Sequence, residues 1–482
     1  MIEKIALRGK KYLSELWDKL PNNVLLDKGI TGCGGTYVEL NSKRNSIILA
    51  PTKELVRNKE GGKIFGITGD IKNTQLKEYL ESDIKYKKII GTYDSLPRIM
   101  NFIDPKEWFL LVDEYHILFN QYSLRNSAIY TVLNKFKEFG NYCFMTATPL
   151  KDSIMLEELK DLKRISLIWE ESVPVSIDII DTRNTVAELS KMIENPEKGI
   201  NYHMFVNSVS TINRIIKRTN IKDYKVVCSD SAKSRTKLKT GDTTSPIKKF
   251  NFYTATAFEG CDIYDPKGKT IILCDTNIAT TMLDISTLVR QISGRIRDSI
   301  YKDSIKMFLN TSTHRYAGIT DSEFRLKVKE NTKVGKRKIE LINSLETEFD
   351  YEVERRSYSE DTYSSFYVNY KDGLFFFDKN LKKRDIYNYM LINEIYNNSI
   401  NVMMEVRNSG MNVKQYKKTN WAIDLLEKDE YTYKELEAIF SKECIKRGRV
   451  FNGNFISEYF EIDKKYRKMV NGKRQTYYKF KL

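Results

Sequence analysis

An α/β fold built on parallel sheets is what this 482-residue sequence predicts, and three observations carry that reading. Short runs rich in Ile, Leu, Val and aromatics recur from Asn22 to Leu150: "NVLLDKG", "SIILAPT", "KKIIGT", "WFLLVDE" and "YCFMTAT". Polar, helix-compatible stretches separate them. Each run leads directly into GITGCGGT, PTKEL, GTYDS, DEYH or TATP. Runs that are apolar throughout read as strands buried on both faces of a doubly wound sheet. Ligands in such sheets bind beyond the carboxyl ends of the strands, where these polar and glycine-bearing segments fall.

Size and composition bound the rest. At about 100–200 residues per domain the length implies about three domains. Hydrophobic residues make up 41% of the chain, and no apolar run approaches the roughly 18 residues of a membrane span. The N-terminus "MIEKIALRGKKYL" lacks the apolar core of a signal peptide, so a cytoplasmic protein is expected. Six scattered cysteines without C-x-x-C spacing and only three histidines argue against a zinc site or a disulfide framework. The net charge of +16 points to a polyanionic partner, since excess Lys and Arg recruit phosphate backbones by counterion release.

The first strand leads into "LLDKGITGCGGTYVEL", Leu25 to Leu40. Gly29, Gly34 and Thr36 fall in register with the phosphate loop G-x-x-x-x-G-K-[ST], but Gly35 occupies the lysine slot. Backbone N–H groups across Gly29, Thr31, Gly32, Cys33, Gly34 and Gly35, with the dipole of the following helix, still form an anion cradle. Thr36 remains to ligate magnesium. What is missing is a cation where transition-state charge accumulates. Lys28 stands at the start of the loop and either curls back over the phosphates or faces solvent. Both positions are expected on an exposed loop, so substitutions there should leave the scaffold untouched.

In "LLVDEYH", Asp113 can reach a magnesium ion and Glu114 can orient or deprotonate a water. An isolated D-E pair more often closes a strand in a solvated turn. This one follows the glycine loop and precedes "MTATP", Met145 to Pro149.

With those three motifs in place, the chain resembles the superfamily 2 helicases of the DEAD/DEAH type. GITGCGGT is similar to motif I, APTKEL (with Pro51 and Thr52) to Ia, GTYDSL (with Thr92) to Ib, VDEYH to II and TATP to III. "NYHMFVNSVSTINRII" is similar to motif IV, and "NFYTATAFEGCDIYD" to motif V through Thr254, Gly260 and Asp262. "VRQISGRIRD" resembles motif VI through Gln291, Gly294, Arg295 and Arg297, and its G-R-x-R ending is closest to viral and phage replication helicases and origin-binding proteins. A cation at the front of the loop, as at Lys28, resembles viral terminase ATPases.

The resemblance implies two tandem RecA-like domains, residues 1–153 and 154–312, with ATP and Mg2+ between them and nucleic acid crossing both. Asp113, Glu114, Gln291, Arg295 and Arg297 would be catalytic. Lys28, Gly29, Thr31, Gly32, Cys33, Gly34, Gly35, Thr36, Gly260 and Asp262 would bind nucleotide, and Thr36 and Asp113 the metal. Pro51, Thr52, Thr92 and Thr254 would contact nucleic acid.

Beyond Asn310 the pattern stops. Residues 313–410 read as a connector with a basic helix and an aromatic hairpin, "SFYVNYKDGLFFFD", turning at Lys371-Asp372-Gly373. Residues 411–482 begin with a helical "NWAIDLLEKD" and continue with a helix that Thr432 and Glu435 would cap. A hairpin turning at Asn471-Gly472 follows, and together these make an α+β extension ending in a winged helix. Lys465, Arg467, Lys473 and Arg474 lie among Tyr466, Tyr477 and Tyr478, a pairing of phosphate-reaching and base-stacking side chains. The expected activity is ATP-dependent helicase or translocase action on nucleic acid, with DNA favoured over RNA. A clamp that binds nucleic acid without hydrolysis is the alternative.

Overall fold

The computed structural model describes residues 2–480 apart from 124, 171–172, 259–260, 312–318, 346, 358–362, 364, 372, 420–421, 423–424, 427, 429, 447–449, 461 and 471–472. Gly260 and the hairpin turn at Asn471-Gly472 lie outside the described residues, as do Asp372 and most of "NWAIDLLEKD".

The strands of the first half are β1 (Ile2–Leu7), β2 (Val24–Asp27), β3 (Ser46–Ala50), β4 (Ile64–Ile67), β5 (Lys88–Thr92), β6 (Phe109–Asp113), β7 (Asn141–Thr146) and β8 (Lys163–Trp169). They form one sheet in the order β1-β8-β2-β7-β6-β3-β5-β4, parallel throughout. Successive side chains enter opposite cores, as the period of two requires. Ile47, Leu49, Leu110, Val112 and Phe144 pack on one face, and Ile48, Ala50, Leu111, Cys143 and Met145 on the other.

The second sheet comprises β9 (Ser176–Thr182), β10 (Asn201–Phe205), β11 (Tyr224–Val227), β12 (Thr240–Gly241), β13 (Phe250–Tyr253), β14 (Gly268–Cys274) and β15 (Ser304–Leu309). After β16 (Val368–Lys371) and β17 (Leu374–Phe377), which pair as the expected aromatic hairpin, β18 (Asn412–Thr419) joins its edge. The order is β12-β11-β13-β10-β14-β15-β9-β18, again all parallel. Two parallel sheets with flanking helices, in tandem, are the RecA-like architecture expected.

Two boundaries shift. The first sheet runs past residue 153, because β8 pairs with both β1 and β2. Residues 411–419 complete the second sheet rather than opening the terminal unit. The segment read as a connector straddles both cores: Phe324, Tyr367, Leu381 and Tyr387 pack with the first sheet, and Leu391, Tyr396, Val402 and Val406 with the second. Tyr122 donates to Asp378 at 2.9 Å and Tyr396 to the Leu283 carbonyl at 2.6 Å.

The terminal unit comprises β19 (Glu430–Thr432), helices Tyr433–Lys446 and Gly453–Tyr459, and the ribbon β20 (Ile462–Val470) and β21 (Lys473–Phe480), with β21 between β19 and β20. Glu435 accepts from the Thr432 amide at 2.6 Å, the capping contact expected. Tyr478 and Phe480 belong to the same core as Phe440, Phe455 and Phe460, so the ribbon is part of the fold and not an appended tail.

One buried ionic cluster sets the bottom of the first sheet. Glu39, in the last turn of the helix Gly35–Asn41, is fully buried and accepts from Arg44 and Ser46 at 2.5 Å and from Ser42 at 2.9 Å. Lys88 on β5 donates to the Glu39 carbonyl at 2.8 Å, and burial depresses its ammonium to about 8 despite Glu39 nearby. Removing one partner of such a cluster leaves buried charge uncompensated. Glu39→Ala should therefore lower the unfolding free energy by about 3–5 kcal/mol, read from urea titration.

Candidate nucleotide site between the two sheets

The glycine loop follows β2 and is pinned at its first two residues. The Lys28 amide donates to the Thr146 carbonyl at 2.8 Å, and the Lys28 carbonyl accepts from Trp169 Nε1 at 2.7 Å. The Gly29 amide donates to Asp27 Oδ1 at 2.9 Å, and Arg290 Nη2 donates to the Gly29 carbonyl at 2.7 Å. Gly29 has φ +73°, and a Cβ there would lie 2.6 Å from the Leu167 carbonyl. Glycine is required on both counts.

Lys28 does not lie on an exposed loop surface, contrary to expectation. Its side chain turns inward, only 6% exposed, and its ammonium lies 2.7 Å from Glu114 Oε1 and 3.5 Å from Asp113 Oδ1. Position 35 is buried too, and a Cβ there would run into the thioether of buried Met145 on β7. The two substitutions are therefore not neutral for the scaffold. A lysine at 35 would have to displace Met145 from a packed core, whereas Lys28 reaches the carboxylates from the strand side.

Asp113 ends β6, and its Oδ2 accepts from Thr36 Oγ1 at 2.8 Å. These oxygen donors beside the loop suit Mg2+, which takes one or two protein oxygens plus substrate phosphates. Glu114 adopts φ +52°, a left-handed conformation that costs a non-glycine residue about 1–2 kcal/mol and turns its carboxylate toward the second sheet.

There Glu114 Oε2 accepts from Thr146 Oγ1 at 2.9 Å and from Gln291 Nε2 at 2.8 Å. Gln291 also donates to Thr148 at 3.1 Å. Because Thr146 gives its one proton to Glu114, the 2.8 Å contact with His116 requires His116 Nδ1 to donate. Arg295, 3% exposed, donates to the Gln291 carbonyl at 2.9 Å and to Gln291 Oε1 at 3.1 Å, which turns the amide nitrogen toward Glu114.

Arg297 bonds Asp262 Oδ1 at 2.6 Å, and its guanidinium lies where a side chain at Gly32 would be. Thr31 packs against Gly294 in the same way. Lys28, Gly32, Cys33, Gly34, Gly35, Thr36, Asp113, Glu114, Asp262, Arg295 and Arg297 thus line one cavity of about 160 Å³. A cleft of about 620 Å³ shares Gly32, Asp262 and Arg297 with it.

Of the residues assigned to nucleic acid, Pro51, Thr52, Thr92 and Thr254 lie outside this cavity, each with a local hydrogen bond. The Pro51 carbonyl accepts from Arg125 at 2.9 Å, and Thr52 caps the helix Lys53–Lys59. Thr92 and Thr254 are buried, bonded to Ser95 at 3.2 Å and to the Val227 carbonyl at 3.3 Å. Sequence reasoning missed Arg290, Asp27 and Trp169. Arg290 had a signal, since it adjoins Gln291 in "VRQISGRIRD", but nothing in the sequence ties Trp169 to a loop some 140 residues away.

No protein-family model and no curated protein matches this sequence. Among solved structures the chain is similar to S. cerevisiae Dbp5 bound to RNA and ADP BeF3, with 13% identity and a TM-score of 0.43 over 60% of this chain and 79% of that one. It is also similar to a DEAD box protein from Methanococcus jannaschii, with 16% identity and a TM-score of 0.28 over 64% and 85% of the two chains. Escherichia coli DEAH/RHA helicase HrpB is similar at 14% identity and a TM-score of 0.38, over 63% of this chain and 42% of that one. At these levels of likeness the chemistry of the site rests on the side chains just described.

Burial pushes the Glu114 carboxyl up, but Lys28, His116 and Arg295 outweigh it and hold it at about 2 instead of 4.5. A depressed folded value contributes stability above the ordinary value and loses it as pH falls. Glu114→Gln should therefore be less stable than wild type at pH 7, by about 3 kcal/mol. The gap should close between pH 4.5 and about 2, as urea unfolding across a pH series would show.

Proposed function

We propose that this chain is an ATP hydrolase of the superfamily 2 helicase or translocase type, acting on nucleic acid, with DNA favoured. The observation that carries this reading is the convergence on Glu114 of Lys28 from the glycine loop, Thr146 from TATP and Gln291 from a helix of the second domain. A nucleotide site split between two sheets lets each round of binding and release move one sheet against the other.

In the proposed reaction the loop amides hold the phosphates, and Thr36 and Asp113 hold Mg2+. When bound, Mg2+ would neutralise charge on the β- and γ-phosphates. Lys28 supplies the cation that position 35 lacks. Glu114 orients the attacking water, and Gln291 fixes the angle of that carboxylate. Arg297, beside Gly32, and Arg295, behind Gln291, meet the transferring group from the second sheet.

The terminal unit supports the nucleic-acid part. On the ribbon, Lys464, Lys465, Arg467, Lys468 and Arg474 are exposed, and Tyr466 stacks on Tyr477 with ring centroids 5.7 Å apart. Helices followed by a basic hairpin, with β19 returning to β21, favour the winged-helix reading.

Nucleotide turnover measured with single-stranded, forked and duplex DNA and with RNA tests the proposal. Glu114→Gln should abolish turnover while retaining nucleotide binding. Lys28→Ala should lower the rate by about 10²-fold or more, and Gly35→Lys should give no gain. A silent Lys28→Ala with a gain at Gly35→Lys would favour the clamp reading instead.

Replacing Lys465, Arg467, Lys468 and Arg474 by alanine should weaken binding and lower the log–log salt slope by about 0.7–0.9 for each phosphate no longer neutralised. Substitution is the right test, because truncation would remove Tyr478 and Phe480 from a core.

A further inference from the structure

Lys28 is held from two directions by adjacent residues of the second sheet's domain. Gln291 bonds the carboxylate that the Lys28 ammonium pairs with, at 2.8 Å. Arg290 bonds the carbonyl of Gly29, the residue after Lys28, at 2.7 Å.

Their directions follow from the backbone. Asp284 caps a wide π turn, Ile285–Val289, and the short helix Arg290–Ser293 continues from it. Consecutive helical residues point about 100° apart, so Arg290 and Gln291 reach two different parts of the first domain. Wide turns of this kind recur where a helix must re-aim functional side chains.

Of the four backbone polar groups of Lys28 and Gly29, three are satisfied within the first domain, by Thr146, Trp169 and Asp27. The fourth, the Gly29 carbonyl, takes its bond from across the interface. A guanidinium donor to a carbonyl is charge-assisted and stronger than a neutral bond. Burial keeps the Asp27 carboxyl raised, opposed first by its bonds from the Gly29 amide and Ser166 and to a smaller degree by the Arg290 charge nearby.

We propose that Arg290 is a positioning residue of the nucleotide site: by bonding the Gly29 carbonyl from the second domain it fixes the Lys28–Gly29 backbone and delivers the Lys28 ammonium only when the two domains are together. It does not meet the phosphates itself. With the cation at position 28, before the loop, its placement depends on the strand-to-loop backbone, and Arg290 is the cross-domain part of that support. Only the kinetic consequence rests on the proposed ATPase reading.

Two measurements on the full chain test this. The first is amide hydrogen exchange without nucleotide. Arg290→Ala should speed exchange in the 28–32 segment by threefold or more, leave both sheets protected, and be reversed by Arg290→Lys. Arg290→Met, which keeps the stem and removes every donor, serves if the alanine variant fails to fold. Unchanged exchange in the loop overturns the proposal, whatever the turnover.

The second measurement is steady-state nucleotide hydrolysis. Arg290→Ala should lower kcat about tenfold or more with KM within threefold, and Arg290→Lys should restore most of the rate. A rise in KM at constant kcat would make Arg290 a nucleotide-binding group and overturn its positioning role. A wild type that turns over no nucleotide while the exchange result holds would leave the latch standing and remove the ATPase reading.

Discussion

A buried ammonium between two carboxylates organises this molecule. Lys28, Asp113 and Glu114 are each nearly withdrawn from water, and an isolated charge in that position would cost far more than the fold can supply. The three must therefore arrive together, from β2 and from β6, with Thr36, Thr146 and Gln291 satisfying the remaining oxygens. The left-handed backbone at Glu114 is tolerated because these partners over-determine it. Since Gln291 belongs to the second domain, the same network that neutralises the cluster also joins the two domains.

The position of the cation follows from packing. Gly35 begins a helix whose start lies against Met145 and whose end is locked by Glu39 to Arg44, Ser46 and Lys88. A side chain at residue 35 would first have to move the buried Met145 thioether. Lys28, one residue beyond β2, enters the same cavity from the strand. The loop still curves around an anion-sized space because its glycines, not its lysine, set its shape.

The C-terminal third is part of the machine's frame. Its helices bury aromatic side chains against both sheets, and β18 completes the second one. Any motion between the two sheets must carry or slide past this brace. The terminal unit keeps its own small core and presents a basic ribbon outward, with Arg183 of the second domain over its Tyr459 ring.

Much was legible in the sequence, because parallel strands buried on both faces leave apolar runs that need no partner to be recognised. The glycine loop, the D-E at the end of β6 and T-A-T-P at the end of β7 are contiguous signals; the fold brings the first two to one cavity and bonds Thr146 of the third to Glu114. The domain ends were misplaced because strands such as β8 and β18 declare their sheet only by pairing. The sequence alone determined the architecture, the glycine loop and its missing lysine. Only the tertiary structure decided that Lys28 points inward, that the Met145 thioether lies where a side chain at residue 35 would start, and that Arg290 reaches Gly29. Each of these is a contact between residues distant in the chain, and burial and steric exclusion exist only after the strands have been brought together.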